Sequence, residues 1–324
     1  MKLTHYFYNT LHPEIYHGNQ ARPPFFEGWY FKLINPEESK RYAIIPGVIL
    51  GDNAHAFVQV LDGATGQTAY HTYSLQEFHF SPGEFAIQIG PNTFTADQIH
   101  LDIANGPLTV QGDLKFQGVT PWPVSLVSPG IMGWYAWAPR MECYHGVLGF
   151  DHAIQGSLAI DRERINFSGG RGYIEKDWGQ SFPEAWVWFQ SNHFEEAGVC
   201  LTASVANIPW MGNAFRGFII GFWREKKLKR FATYTGARIE KLSISETHVD
   251  WVVSDRRHRL EMRAERAEGG LILGPTKLEM GKRVLETLNA RIEARLSHKS
   301  GELIFEGTGR HAGLEVHNTL ALIN

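Results

Sequence analysis

The sequence predicts an all-β fold of two tandem antiparallel barrels, and three observations predict it. Short apolar and β-branched runs, separated by Gly, Pro, Asn and Asp, recur along nearly the whole chain, while a 3.6-residue apolar repeat is nearly absent. A Glu-x-Trp core occurs twice, in Phe25-Phe26-Glu27-Gly28-Trp29-Tyr30-Phe31 and in Phe182-Pro183-Glu184-Ala185-Trp186-Val187-Trp188, spaced by about half the chain. With 324 residues the chain exceeds one comfortable core, and 10 Trp and 20 Phe suit thick β cores or cavities.

In chain order, the arm before Phe25 carries Tyr, His, Pro13, Pro23 and Pro24, and reads as an ordered lead-in rather than a helix. Phe25 to Ile34 is the first strand of the series. Residues 42–50, 54–61, 68–74 and 84–89 follow, and 99–103 and 108–116 flank the hairpin signal Asn105-Gly106. Gly118 to Arg140, with four prolines around Trp122, Trp134, Tyr135 and Trp137, reads as a Pro/Trp-rich crossover covering something. Residues 144–150 and 153–160 read as two strands. After residue 192, strands are expected at 199–206, 216–223, 230–235, 249–253, 260–264, 292–296 and 302–306, and residues 278–289 read as a short helix. The expected domains are 1–178, with the arm and the crossover, and 179–324. Glu27 and Glu184 are expected on equivalent first strands.

Gly172 to Phe194 concentrates charge and rings as no other stretch does. Strand parity places Glu184, Trp186, Trp188, Gln190 and Asn192 on one face and Ala185, Val187, Phe189, Ser191 and His193 on the other. The first face mixes large rings with hydrogen-bonding tips, as a site for an apolar ligand with one polar end would. Glu175 and Asp177 likewise share a face, with Lys176 and Trp178 opposite. Two carboxylates on one cavity cannot both ionise cheaply, so one would keep its proton. Neutralisation by Lys176 or an Arg, with a purely structural role, is the other reading of the same residues.

Composition narrows the class. A net charge of −3, with Arg and Glu interleaved along strands, gives no surface for nucleic acid. The N-terminal residues lack the pattern of a signal peptide, and the longest apolar runs fall far short of a membrane span. A soluble, cytoplasmic protein with Cys143 and Cys200 reduced is expected. The 15 His residues show no metal-ligand spacing, and phosphate-loop, dinucleotide and nucleophile-elbow motifs do not occur. No metal and no cofactor are therefore expected.

FFEGWYFKL and GYIEKDWGQSFPEAWVWFQSNHF together resemble the tocopherol cyclase family, with weaker likeness over 134–157 and 312–316. The resemblance implies two lipocalin-like β domains, related to carotenoid hydratases. It also implies cyclisation, in which the phenolic oxygen of a prenylated quinol adds to a chain double bond. That chemistry needs a delivered proton, a shielded cation and a base, and no redox cofactor. Glu27, Gly28, Trp29 and Tyr30 fall on the first family motif, and Glu175, Lys176, Trp178 and Gly179 on the second. Asp177 stands where Asn is expected, and Gln180-Ser181 where glycines are common, which leaves the substrate open.

The expected catalytic residues are Glu175, Asp177 and Glu27, facing one apolar cavity. Trp29, Tyr30, Lys176, Trp178, Trp186, Trp188, Gln190 and Asn192 are expected to contact the substrate, a prenylated aromatic or other isoprenoid. Hydration of an isoprenoid is the variant of this reaction, and a lipocalin-like carrier of an apolar ligand, without chemistry, is the alternative. A transient contact with a membrane surface is compatible with such a ligand, and the oligomeric state is left open.

Overall fold

The computed structural model describes residues 3–139, 141–210 and 213–323. Neighbouring strands pair into two antiparallel sheets. The first holds β1 (Phe25–Ile34), β2 (Arg41–Leu50), β3 (His55–Asp62), β4 (Thr68–Tyr73), β5 (Phe78–Phe80), β6 (Ala86–Ile89), β7 (Asn92–Thr95), β8 (Gln98–Ile103), β9 (Val110–Gln117), β10 (Cys143–Ile160), β11 (Glu163–Asn166) and β12 (Arg171–Gly179). Their order is β4-β3-β2-β1-β12-β10-β9-β8-β7-β6-β5, with β11 on β10. The two edges, β4 and β5, follow each other in sequence through one 3-10 turn, Leu75–Glu77, closed by a Ser74–Glu77 capping box. The sheet therefore curls until its ends meet at that turn. One core collects side chains from both ends, from Ala69 on β4 to Ile87 on β6.

The second sheet repeats the plan. It holds β13 (Trp186–Ser191), β14 (Cys200–Trp210), β15 (Asn213–Arg224), β16 (Lys227–Ala232), β17 (Arg238–Ile244), β18 (His248–Ser254), β19 (His258–Glu265), β20 (Gly270–Pro275), β21 (Met280–His298) and β22 (Leu303–His317). The order is β16-β15-β14-β13-β22-β21-β19-β18-β17, with β20 on β21, and the 3-10 turn Thr233–Thr235 lies between β16 and β17. In both sheets a four-strand meander turns through a 3-10 helix, and the last strand returns to the first, β12 on β1 and β22 on β13. The fold is thus all-β and lipocalin-like in two copies. Compact units comprise Met1–Phe182 with Ile272–Arg283, and Pro183–Leu271 with Val284–Asn324. Within the first unit Gln59 binds the inserted segment both ways, its Oε1 accepting from Leu273 N at 2.7 Å and its Nε2 donating to Leu273 O at 3.2 Å.

Four expectations are corrected. The arm opens with a helix, α1 (Leu3–Leu11), because Leu3, Phe7 and Leu11 recur at helical spacing before Pro13 ends it. Residues 278–289 are not helical: most form the start of β21, where pairing with β22 outweighs the helix-forming composition. The two strands expected between 144 and 160 are one, β10, bent at bulges beyond Val147 and Gly149. Glu184 is exposed and precedes β13, so it is no counterpart of Glu27, which lies fully buried within β1.

The Glu-x-Trp echo is likewise only partial. Trp29 stacks on Phe85 at 5.5 Å inside the first core, whereas Trp186, although buried, lies outside the second. Trp251, edge-on to Phe189 at 5.9 Å, is the tryptophan at the second centre. The crossover is anchored by Trp122, buried against Phe150 at 5.4 Å, with its backbone N–H donating to Val147 O at 3.2 Å. Among the described residues no helix is long and apolar enough to cross a membrane. Trp29→Ala should destabilise the protein by about 3–5 kcal/mol in denaturant melts; a loss under about 1 kcal/mol would show that the ring does not organise the first core.

Candidate functional site

The β1–β12 ladder fixes which residues can meet. It sets Glu27 opposite Trp178, Trp29 opposite Lys176, Gly28 opposite Asp177 and Tyr30 opposite Glu175. Opposed residues point to the same face. Trp29, Phe31, Leu33 and Ile174 belong to the core, so Glu27, Lys176 and Trp178 point inward with them. Tyr30, Tyr173, Glu175 and Asp177 look out from the other face.

The inward group is a saturated charge network. Lys176 is fully buried, its Nζ 2.5 Å from Glu27 Oε1, donating to Ile15 O and 3.0 Å from His17 Nδ1. It sits over the rings of Trp29 and Trp178 at 4.8 and 4.9 Å. The backbone N–H of His17 donates to Glu27 Oε2 at 2.8 Å. Burial lowers the His17 pKa and Lys176 lowers it further, so the ring is neutral at pH 7. Its Nε2 lies 3.1 Å from Asn9 O and donates there, which leaves Nδ1 to accept from Lys176. Burial pushes Glu27 up, but Lys176 and His17 outweigh it and the pKa is lowered; burial lowers Lys176 against the pull of Glu27. All three ammonium protons have acceptors. Glu27 therefore does not share a cavity with Glu175 and Asp177, and this corrects the expectation that grouped the three.

The outward face holds a second titratable cluster. β10 sets His145 opposite Asp177 and Val147 opposite Glu175. His145 Nδ1 is 2.8 Å from Asp177 Oδ1, and its Nε2 is 3.7 Å from Glu175 Oε2. Tyr173 OH donates to the same Glu175 oxygen at 2.6 Å. Burial alone would lower His145, but Asp177 and Glu175 reverse that and push it to about 9. The cluster's proton therefore rests on an imidazolium between two carboxylates. The side chain of Asp177 is the most open of the three, at 27% exposure against 14% for His145 and 7% for Glu175. Burial, with Asp177 and Glu142 adding to it, pushes the neighbouring Cys143 thiol well up, which makes it a poor nucleophile.

Donor atoms of His145, Glu175 and Asp177 lie within 4.8 Å of one another, close enough to hold a cation. The arrangement fits a proton better. Asp177 already occupies one ring nitrogen, so a metal on Nε2 would gain only Glu175 as a second direct ligand.

The remaining candidates belong to the second unit. Val187 and Phe189 enter its core, so Trp186, Trp188 and Gln190 take the other face of β13, with Asn192 just beyond the strand. Trp186 donates through Nε1 to Glu315 Oε2 at 2.6 Å and stacks on His317 at 4.3 Å. Glu315 lies opposite Trp188 on one side and Glu286, fully buried, on the other. Gln190, also fully buried, places Nε2 3.5 Å from Cys200 Sγ, and its Oε1 has no hydrogen-bond partner among the described residues.

Sequence reasoning missed His145, His17, Glu286 and Glu315. No local spacing marks them, because each enters through strand register or through the fold of the arm. Tyr173 was within reach, two residues before Glu175 on the same face.

Residues 113–318 match the family model described as tocopherol cyclase-like. The chain is 24% identical to the probable chloroplastic tocopherol cyclase of Oryza sativa subsp. japonica, over 93% of this chain and 77% of that protein. In fold it is similar to kievitone hydratase from Nectria haematococca, with a TM-score of 0.50, 15% identity and coverage of 96% of this chain and 94% of that one. It is also similar to CghA, with a TM-score of 0.55, 12% identity and coverage of 92% and 90%.

Lys176→Met strands a buried carboxylate and should cost about 3–5 kcal/mol in urea melts, while Lys176→Met with Glu27→Leu should recover most of that loss. A single-variant loss under about 1 kcal/mol would show that the pair does not hold the arm to the sheet.

Proposed function

Because the chain belongs to the tocopherol cyclase-like family, we propose that it is a cyclase- or hydratase-type enzyme that protonates a carbon–carbon double bond. The substrate class is a prenylated quinol or a related isoprenoid. The observation that carries this reading is the cluster of His145, Glu175 and Asp177, which keeps one exchangeable proton between two carboxylates on a single sheet face.

Each member has a distinct role. Asp177 orients His145 through Nδ1–H and supplies charge that raises its pKa; Asn, the residue expected there from the family motif, would keep the hydrogen bond but not the charge. His145 stores the proton and turns Nε2 towards Glu175. An alkene demands a stronger acid than imidazolium, so Glu175 takes the proton from Nε2 and delivers it as a carboxylic acid, with Tyr173 holding the carboxyl in place. The proton bonds to the less substituted alkene carbon, and the π pair is consumed in that C–H bond. The phenolic oxygen donates a lone pair to the tertiary cation and closes the ring. The phenol proton then returns to Glu175 and passes from it back to His145 Nε2. The cluster ends as it began, and the substrate is isomerised with no change in oxidation state. In the hydration variant a water oxygen takes the place of the phenol.

Tyr30, on the face of Glu175, is proposed to contact the substrate. In the second unit Trp186, Trp188, Gln190 and Asn192 are proposed as ligand contacts, since apolar rings beside a buried acceptor suit an aromatic bearing a hydroxyl. Glu27, Trp29, Lys176 and Trp178 are given a framework role, their partners being taken up inside the first unit. A lipocalin-like carrier would hold its ligand within a barrel, yet Phe31 lies 5.9 Å from both Phe94 and Phe116 there. Those packed rings favour the enzyme reading.

With a prenylated quinol in D2O, the product should carry one non-exchangeable deuterium on the protonated chain carbon. Glu175→Gln should lower turnover by about 10²–10⁴-fold while binding stays within about tenfold. Wild-type turnover should fall as pH rises through about 9, because a raised pKa keeps His145 charged below that value and neutral above it. Binding without turnover in the wild type, or product without deuterium, would defeat the proposal.

A further inference from the structure

The Pro/Trp-rich crossover and α1 together make a surface that the proposed chemistry does not use. Gly118 to Pro139 contains no Asp, Glu, Lys or Arg, and neither does α1. Ser125 and Ser128 exchange backbone hydrogen bonds at 3.1 Å in both directions, so Leu126 and Val127 occupy the two central positions of a tight turn. Such positions ordinarily carry Gly, Asn or Asp. Here they are aliphatic and among the most exposed apolar side chains described, 66% for Leu126 and 81% for Val127.

Large rings surround this tip. Trp137 donates from Nε1 to Leu126 O at 2.9 Å and packs on Phe7 of α1 at 5.0 Å, while Tyr6 OH donates to Trp137 O at 2.5 Å. The outer sides of Phe7 and Trp134 remain exposed, at 45% and 54%. Leu126, Trp137, Phe7 and Tyr6 are thus tied into one surface, with Trp134 three residues before Trp137 in the same 3-10 turn.

We propose that this surface seats the protein on a phospholipid bilayer, with Leu126 and Val127 entering the acyl boundary and Trp134, Trp137 and Phe7 lying at headgroup depth. Its shape and charge favour that occupant over a protein. The tip is a tight turn whose two aliphatic side chains stand out in solvent, and amphipathic rings around an aliphatic point are the composition of a membrane interface. The lack of charge within these two segments offers no ionic contacts to set register with a protein and fits a neutral lipid surface.

The test is flotation of the full chain with neutral phosphatidylcholine vesicles at low and high salt. Binding is expected at both, because no ionic attraction is there to be screened. Leu126→Ser with Val127→Ser should reduce partitioning at least about tenfold, with an unchanged melting temperature since both side chains are exposed. Trp134 fluorescence, isolated by comparison with Trp134→Phe, should be quenched by brominated lipid. Absence of flotation, flotation unaffected by the double variant, or binding confined to anionic vesicles and lost in salt would each overturn the proposal. A concentration-dependent dimer dissolved by the same variant would assign the surface to a second copy instead. Vesicle binding is measured without turnover, so it reports on the surface whatever the enzymatic reading's fate.

Discussion

The burial of Lys176 is the constraint on which the first unit depends. An ammonium ion removed from water is costly unless every proton finds an acceptor, and Glu27, His17 and the Ile15 carbonyl supply all three. Two of those acceptors lie on the N-terminal arm, so the same contacts dock the arm on the sheet. They also fix the register of β12. A one-residue slip would turn Lys176 and Ile174 outward and drive Glu175 and Asp177 against Trp29 and Phe31. With Lys176 held inward, its two neighbours must face outward, where β10 brings His145 between them. A fully buried lysine thereby determines where the acidic groups stand.

How much of this was legible follows from the range of each cue. Period-two alternation is local, and it located nearly every long strand and the opposed faces of Glu175–Asp177 and Lys176–Trp178. The Glu-x-Trp echo pointed to two similar units, and both sheets share a four-strand meander, a 3-10 turn and a last strand that returns to the first, although the first sheet carries more strands. It failed in detail because Glu184 falls ahead of its strand and Trp186 lies outside the second core. The helix expected at 278–289 failed because ladder pairing outweighs propensity over a stretch that alternates as well as it spirals. His145 was illegible for a different reason. It lies 32 residues from Asp177 in sequence and meets it only through the β10–β12 register.

The two units differ in how they treat carboxylates on the returning ladder. In the first, a histidine separates Glu175 from Asp177 and carries the proton. In the second, Glu286 and Glu315 face each other across β21 and β22 with Trp186 donating to one of them. Similar backbones thus present different chemistry on corresponding strands, as expected where sites are grafted onto a shared fold. The resemblance of the whole chain to a hydratase and to CghA is a likeness of scaffold.

The central claim is that His145 holds the proton used on the outward face, and its titration tests that most directly. NMR of ring-labelled histidine, assigned with His145→Gln, should show an apparent pKa of about 9 in the wild-type protein, with Nδ1 protonated on both sides of the transition. In Asp177→Asn the value should fall, since the larger of the two charges that raise it is gone. A His145 that titrates at or below the ordinary imidazole value in the wild type, with Asp177→Asn leaving it unmoved, would contradict the account.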